Sequence, residues 1–367
     1  VRVRRALFLA SVLSLAVLLA GCDTVSSLGY YRQTVAGHLD IVRRAQPLTE
    51  LIAAPTTPPE LRARLQLAQR IRDFAVAELG LPEGRSYRAY AALDRPAAVW
   101  NVVAAPELSL TLQTWCFPVV GCVGYRGYYD RALADAEAAS LQAQGLEVLV
   151  YGVPAYSTLG KTEWLGGDPL LSTFIRWPEG ELARLVFHEL SHQVVYAAGD
   201  TVFNESFATA VERIGIQRWL AEQADEAARR EYAALDARRR DFKALTLRVR
   251  HDLEAIYRNP ALDDEARRAA KAERMQRMQD ELAELKATRW DGFAGFDAWF
   301  ARANNAAFGI QAAYDAWVPA FEHLFDREGR DWPRFYAAVQ RLADLPRAER
   351  DATLAALSAA PLAKTGD

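Results

Sequence analysis

Histidine is scarce in this chain, with five in 367 residues, and cysteine is scarcer, with three. Neither sign of charge is in excess: 44 Lys and Arg stand against 47 Asp and Glu. A formal net charge of -3 gives no electrostatic reason to expect nucleic acid as a partner. No Gly-rich phosphate loop of the Walker type is present, and no GxGxxG follows a strand-like run, so the common nucleotide cradles are missing. The apolar run from Ala6 to Ala20 is shorter than the ~20 residues a membrane-spanning helix needs. What remains, 51% hydrophobic and 25% charged, is ordinary globular composition for one large domain or two smaller ones.

That short apolar run has its own meaning. Arg2, Arg4 and Arg5 precede it and small residues follow, which is the order of a secretory signal. Its ending, "LAGC" (Leu19 to Cys22), resembles the lipobox of bacterial lipoproteins. The resemblance implies cleavage before Cys22, acylation of its thiol and a tether over 22–29. Such a chain would sit on a membrane facing the periplasm, since each buried CH₂ of an acyl chain contributes about 0.8 kcal/mol. Export also changes how Cys116 and Cys122 read. In an oxidising compartment, a close pair with Pro118 and Gly121 between them reads as a disulfide closing a hairpin-like loop. The alternative is two buried thiols.

Two amphipathic helices are expected next, "YYRQTVAGHLDIVRRA" and "PPELRARLQLAQRIRDFAVAEL", the second ended by "LGLPEG". Strand-like segments follow at 97–105, 108–115 and 146–153, with a helix from Tyr128 to Gly145 before the last. From about Ala210 to Arg289 glycine nearly vanishes. Leu235, Phe242, Val249 and Ile256 fall seven apart, and Met275, Met278, Leu282 and Leu285 are spaced 3, 4, 3. These are coiled-coil seams, interrupted at Pro260, so an antiparallel helical hairpin is expected over 218–288. His251 lies in it as a solvated or packing residue. Residues 30–217 and 289–362 would form the main domain, the latter part as compact aromatic-rich helices. The expected class is α+β and mostly helical, with a small sheet.

The chemistry concentrates in "HELSHQVVYAAGDTVFNESFA", residues 188–208. Its flanks carry the apolar spacing of a helix, with Gly199 placed to cap the end. On a helix, His188 and His192 project from one face, one turn apart. Two imidazoles so placed can grip one ion at about 2.0 to 2.1 Å. Glu189 lies beside the first. This is the HExxH pattern of zinc peptidases, in which zinc supplies an activated water and the glutamate takes its proton. A third protein ligand is required. The metzincin route would need Gly at 195 and His at 198, where Val195 and Ala198 stand. Glu205, on a following helix turned back by Gly199 and Asp200, fits instead. Glu212, two turns further on, suits a hydrogen bond to a ligand histidine. Asp200 and Glu212 are the alternative ligands.

"HELSH…NESFA" resembles the HExxH…NExFA pattern of gluzincin metallopeptidases. Over most of its exported length the chain is also similar to a family of bacterial exported putative aminopeptidases. The segments that carry this likeness are "TWCFPVVGCVGYRGYYD", "VPAYSTLG", "GDPLLSTFI", "FHELSHQVVY", "FNESFATAVE" and "NNAAFGIQAAYDAWVPAF". The resemblance implies a zincin-like core and a peptidase site acting on peptides or proteins. It departs from the large gluzincin aminopeptidases in two ways. Only twelve residues separate His192 from Glu205, and no GxMEN-type strand is present to bind a free amine. Endopeptidase activity is therefore an alternative, as is a lipid-anchored scaffold with a non-catalytic zinc.

Tyr314 is a candidate oxyanion donor, because gluzincins often place a tyrosine there; Tyr156 is a second. Both also read as core tyrosines. The segment around Tyr156 could be an edge strand that pairs with an extended peptide. Asn304 and Asn305 mark a helix start, one as its cap. Arg126, between aromatics, reads as a packing or a contact residue.

Overall fold

The computed structural model describes residues 29–117, 121–160, 163–311 and 316–359. Cys22, the signal segment, Tyr314 and the tail from 360 lie outside the described residues. Helix α1 (29–44) leads into β1 (Gln46–Pro47), α2 (Leu48–Ala53) and α3 (Pro59–Leu79). Next come β2 (Ala89–Ala91), β3 (Val99–Pro106), β4 (Trp115–Phe117), β5 (Gly121–Val123) and β6 (Arg126–Tyr128). Then follow α4 (Arg131–Ala143), β7 (Leu146–Val153), β8 (Leu170–Leu171), α5 (Glu179–Ser191) and α6 (Thr201–Glu222). The long helices α7 (Glu226–Arg258) and α8 (Asp264–Thr288) precede α9 (Asp297–Phe300), α10 (Asn305–Gln311), α11 (Val318–Arg327), α12 (Trp332–Ala343) and α13 (Arg347–Ala359). The architecture is α+β, mostly helical, with small sheets. Among the described residues no helix is long and apolar enough to cross a membrane.

Alternation along β3 explains its two-sided burial. Val102 and Ala104 pack under α4 with Ala134, Ala138 and Leu141, whereas Val103 and Ala105 meet Ala306, Ala307 and Ile310 of α10. β3 pairs antiparallel with β7 along its full length and with β6 at Trp100 to Val102. The outer edge of β7 is covered: Arg302 donates to Val150 O at 3.1 Å and Asn304 to Val148 O at 3.0 Å. Asn304 Oδ1 also accepts Ala307 N at 3.0 Å, the expected cap, while Asn305 is fully buried and braces Pro106 O and Glu107 O. Arg126 stacks over Tyr30 at 4.3 Å and pairs with Glu137 at 3.1 Å.

The strands expected at 97–105 and 146–153 are present; the one at 108–115 is not. Residues 109–114 lie outside regular structure, and β4 begins only at Trp115. Their apolar side chains plug gaps instead of facing a partner strand: Leu110 packs on the hairpin cluster and Leu112 on the β3–α10 face. The helix expected from Tyr128 starts at Arg131, where Asp130 caps it through Ala132 N, and β6 takes the residues before. The hairpin is there: Arg248 meets Glu281 and Arg274 meets Asp252, so the two helices run antiparallel. Phe242, Leu245, Val249 and Leu253 pack on Met275, Met278, Leu282 and Leu285. His251 is exposed on it.

Candidate active site

Helix α5 ends at Ser191, earlier than its apolar flank suggests, and Gly199 does not cap it. Two contacts stop it. Ser191 Oγ donates to His188 O at 2.6 Å, and Asn204 bridges Ala197, accepting its N–H and donating to its carbonyl at 2.8 Å each. Gly199, at φ +78°, turns the chain into α6, whose first residues are capped by Asp200 through Phe203 N. The other oxygen of Asp200 accepts two bonds from Arg350 of α13, at 2.7 and 3.0 Å. Asp200, weighed as a ligand, is thus engaged elsewhere. Cys116 and Cys122 form a disulfide across the β4–β5 pair. This hairpin leans on the same turn: a Cβ on Gly121 would lie 2.6 Å from Gly199 N.

The turn brings α6 back along α5. His188 Nε2 then lies 3.2 Å from Glu205 Oε2, and His192 Nε2 lies 3.8 Å from the same oxygen. One ligand atom from each of His188, His192 and Glu205 falls within 4.8 Å of the other two, so the three could hold a metal ion. The opposite nitrogen of His188, Nδ1, is 3.1 Å from Glu212 Oε2. Arg184, one turn before His188, donates to Glu212 Oε1 at 2.6 Å and pairs with Glu181 at 3.2 Å. Arg239 of α7 holds Glu181 from the other side at 2.6 Å. The sequence signal for Arg184 was its i, i+4 spacing to His188; nothing pointed to Arg239.

The donor set suits a cation. Burial alone would lower the pKa of His188, but its hydrogen bonds to Glu205 and Glu212 lift it to about 10. The two carboxylates thus call for positive charge between them, which a divalent ion supplies in place of a proton. His192, lowered to about 4 by burial, offers a neutral ring. Burial works against the charge of Glu212, yet Arg184 and His188 hold it down to about 2. Glu205→Ala is expected to lose most of the bound metal; an unchanged metal content would exclude Glu205 as a ligand.

A cavity of about 1320 Å³ opens over these residues. Every Asp, Glu, Lys or Arg on its described wall belongs to α5, α6, α7 or α11. The facing wall, from α1, the β3 sheet and residues 153–159, is neutral and rich in tyrosine. Tyr156 lies there, its hydroxyl 2.8 Å from His38 Nδ1; residues 154–159 form no edge strand. Behind residues 157–159 sits Asp168, part of the "GDPLLSTFI" segment and not among the expected site residues. Burial pushes its carboxyl up to about 6, against bonds from Thr158 that lower it. A folded-state pKa above the unfolded one means the native state binds the proton more tightly. Its contribution is therefore favourable at acid pH and is lost as pH rises through about 4 to 6. Asp168→Asn should raise stability at pH 7 by up to about 3 kcal/mol and leave it unchanged near pH 3. Denaturant midpoints at the two pH values check this; equal midpoints for both proteins at pH 7 would refute it.

The family model described as putative aminopeptidase matches residues 29–354 of the chain. No curated protein matches, and no solved structure does.

Proposed function

Since the chain belongs to the putative aminopeptidase family, we propose that it is a zinc-dependent, zincin-like peptidase that removes residues from the amino end of peptides. One observation carries the metal-dependent reading: His188, His192 and Glu205 converge within 4.8 Å on the wall of a large cavity, with Glu189 beside them on α5. His188, His192 and Glu205 would be the ligands, leaving the open position that catalysis requires. Zinc there would supply Lewis-acid polarisation of the scissile carbonyl and an activated water. Glu189, whose half-buried carboxyl stays out of the ligand set, takes the water's proton and delivers it to the leaving amine. Glu212 fixes the ring orientation of His188 through Nδ1, and Arg184 fixes Glu212. The tyrosine-rich wall receives apolar side chains of the peptide, while α7 closes the cleft from the far side. Tyr314 is the proposed donor to the developing oxyanion. An acylated Cys22 would hold the whole at the periplasmic face of a membrane.

The test is metal analysis and peptide hydrolysis on the soluble chain starting after Cys22. One zinc per chain, with activity lost to a chelator and restored by zinc, is the expected result. Zinc held without cleavage of a broad peptide library would favour a scaffold with a structural ion.

A further inference from the structure

The sheet that faces the cavity runs β6–β3–β7, so β6 and β7 are its two edges. Arg302 and Asn304 cover β7. At β6 the cover is α1. Gln33 Nε2 donates to Gly127 O at 3.4 Å, and Gln33 Oε1 accepts Tyr129 N at 3.0 Å. An open strand edge presents a row of such N–H and C=O groups, ready to pair with another chain. A primary amide carries a donor and an acceptor side by side. The Gln33 side chain therefore stands in for the N–H and C=O of one residue on a neighbouring strand.

This contact is one of several along α1. The Tyr30 ring stacks on Phe117 at 5.6 Å and meets Tyr128 edge-on at 5.5 Å. A Cβ on Gly37 would run into the Tyr129 ring, so glycine is what lets the helix come this close. His38 Nδ1 lies 2.8 Å from the Tyr156 hydroxyl. Phe117, Gly127, Tyr129 and Tyr156 all line the cavity that His188, His192 and Glu205 also line. Tyr30, Tyr31 and Thr34 of α1 line it too. Helix α1 is thus part of the cleft, and it fills a backbone edge within that cleft.

An extended peptide binds a free sheet edge through its main chain, so it is held there whatever its sequence. A peptide entering this cleft finds the β6 edge already taken. We propose that α1 is a fixed stop, with Gln33 as its specificity-determining residue: by occupying the β6 edge it denies a long peptide the strand pairing that would carry it past the site. The inference rests on the peptidase reading above and deepens it. Taken with that reading, the excluded segment is the one ahead of the scissile bond, so cleavage is confined to bonds near the amino end. Selectivity here comes from blocking the wrong substrate. What is refused is chain length.

The test uses the zinc-loaded soluble chain and two peptides with free amino ends. One carries a reporter bond after its first residue; the other carries the same bond behind a longer amino-terminal extension. Mass spectrometry at low conversion identifies the first bond cut. The native chain should cut the internal reporter bond about 100-fold more slowly than the terminal one. Gln33→Ala and Gly37→Ala, which free the edge or lift α1 from Tyr129, should each speed the internal cut by about 10-fold and leave the terminal cut unchanged. Hydrogen exchange gives a readout apart from hydrolysis, in a Glu189→Gln background. There the Tyr129 amide should exchange faster with Gln33→Ala added, and the long peptide should slow it again; with Gln33 in place the peptide should change nothing. A native chain that cuts both bonds equally would overturn the inference and leave the peptidase reading intact. Equal losses on both peptides in the two variants would make α1 merely structural and overturn it as well. So would a freed Tyr129 amide with no gain in internal cutting. Cleavage of neither peptide, and of no library peptide, would bring down the peptidase reading and the inference with it.

Discussion

Glu189→Gln is expected to keep its metal and lose about 10²- to 10⁴-fold in kcat. Glutamine fills the same space and cannot take a proton. The atoms that could hold the ion belong to His188, His192 and Glu205, so removing the carboxylate of Glu189 leaves that set alone. Burial raises the Glu189 carboxyl to about 7, with the charge of His188 opposing and that of Glu205 reinforcing. A base titrating near neutrality is matched to taking a proton in one step and returning it in the next. Metal content and steady-state hydrolysis measured on one preparation separate the possibilities. Undiminished activity would remove Glu189 from the mechanism, and joint loss of metal and activity would place it among the ligands.

The second large effect is on stability. Glu212→Ala should destabilise the fold by about 2 to 3 kcal/mol, because it leaves the partly buried Arg184 with only Glu181 as a partner. It should also weaken zinc binding by about 10- to 100-fold, since His188 Nδ1 loses the carboxylate that orients the ring. Glu212→Gln should fall between, retaining an acceptor while losing the charge. Denaturant midpoints and competition with a chromophoric chelator measure the two effects. A stability change below about 1 kcal/mol would mean that Arg184 finds solvent or Glu181 as easily as it found Glu212.

The residues brought together at the centre are those whose relation is local. His188, Glu189 and His192 share one helical turn, and Glu205 needs only the short return through Gly199. Seven-residue spacing likewise made α7 and α8 readable, because a seam repeats the same statement at every turn. Residues 108–115 were misread because apolar, strand-like composition does not say what the side chains will cover. Leu110 and Leu112 found helices to pack on, and no strand lay beside them. The end of α5 was misread because Asn204, on the next helix, makes the bonds that stop it. Arg239 reaches the site only through tertiary packing, over a separation that no periodicity records. Asp168 lies within a segment that the family resemblance marked out, for which local pattern offered no chemistry.

The bond between Asp200 and Arg350 has a consequence in time. Asp200 starts the helix that carries Glu205, and its outer oxygen is neutralised by a guanidinium encoded 150 residues later. While the chain is still being made, that carboxylate has no counter-charge, and burying the return turn is unfavourable. Docking of the two site helices is therefore expected to be most favourable once α13 has been synthesised. A chain cut short before Arg350 is expected to hold Glu205 less firmly against His188 and His192, which the metal content of such a variant would measure.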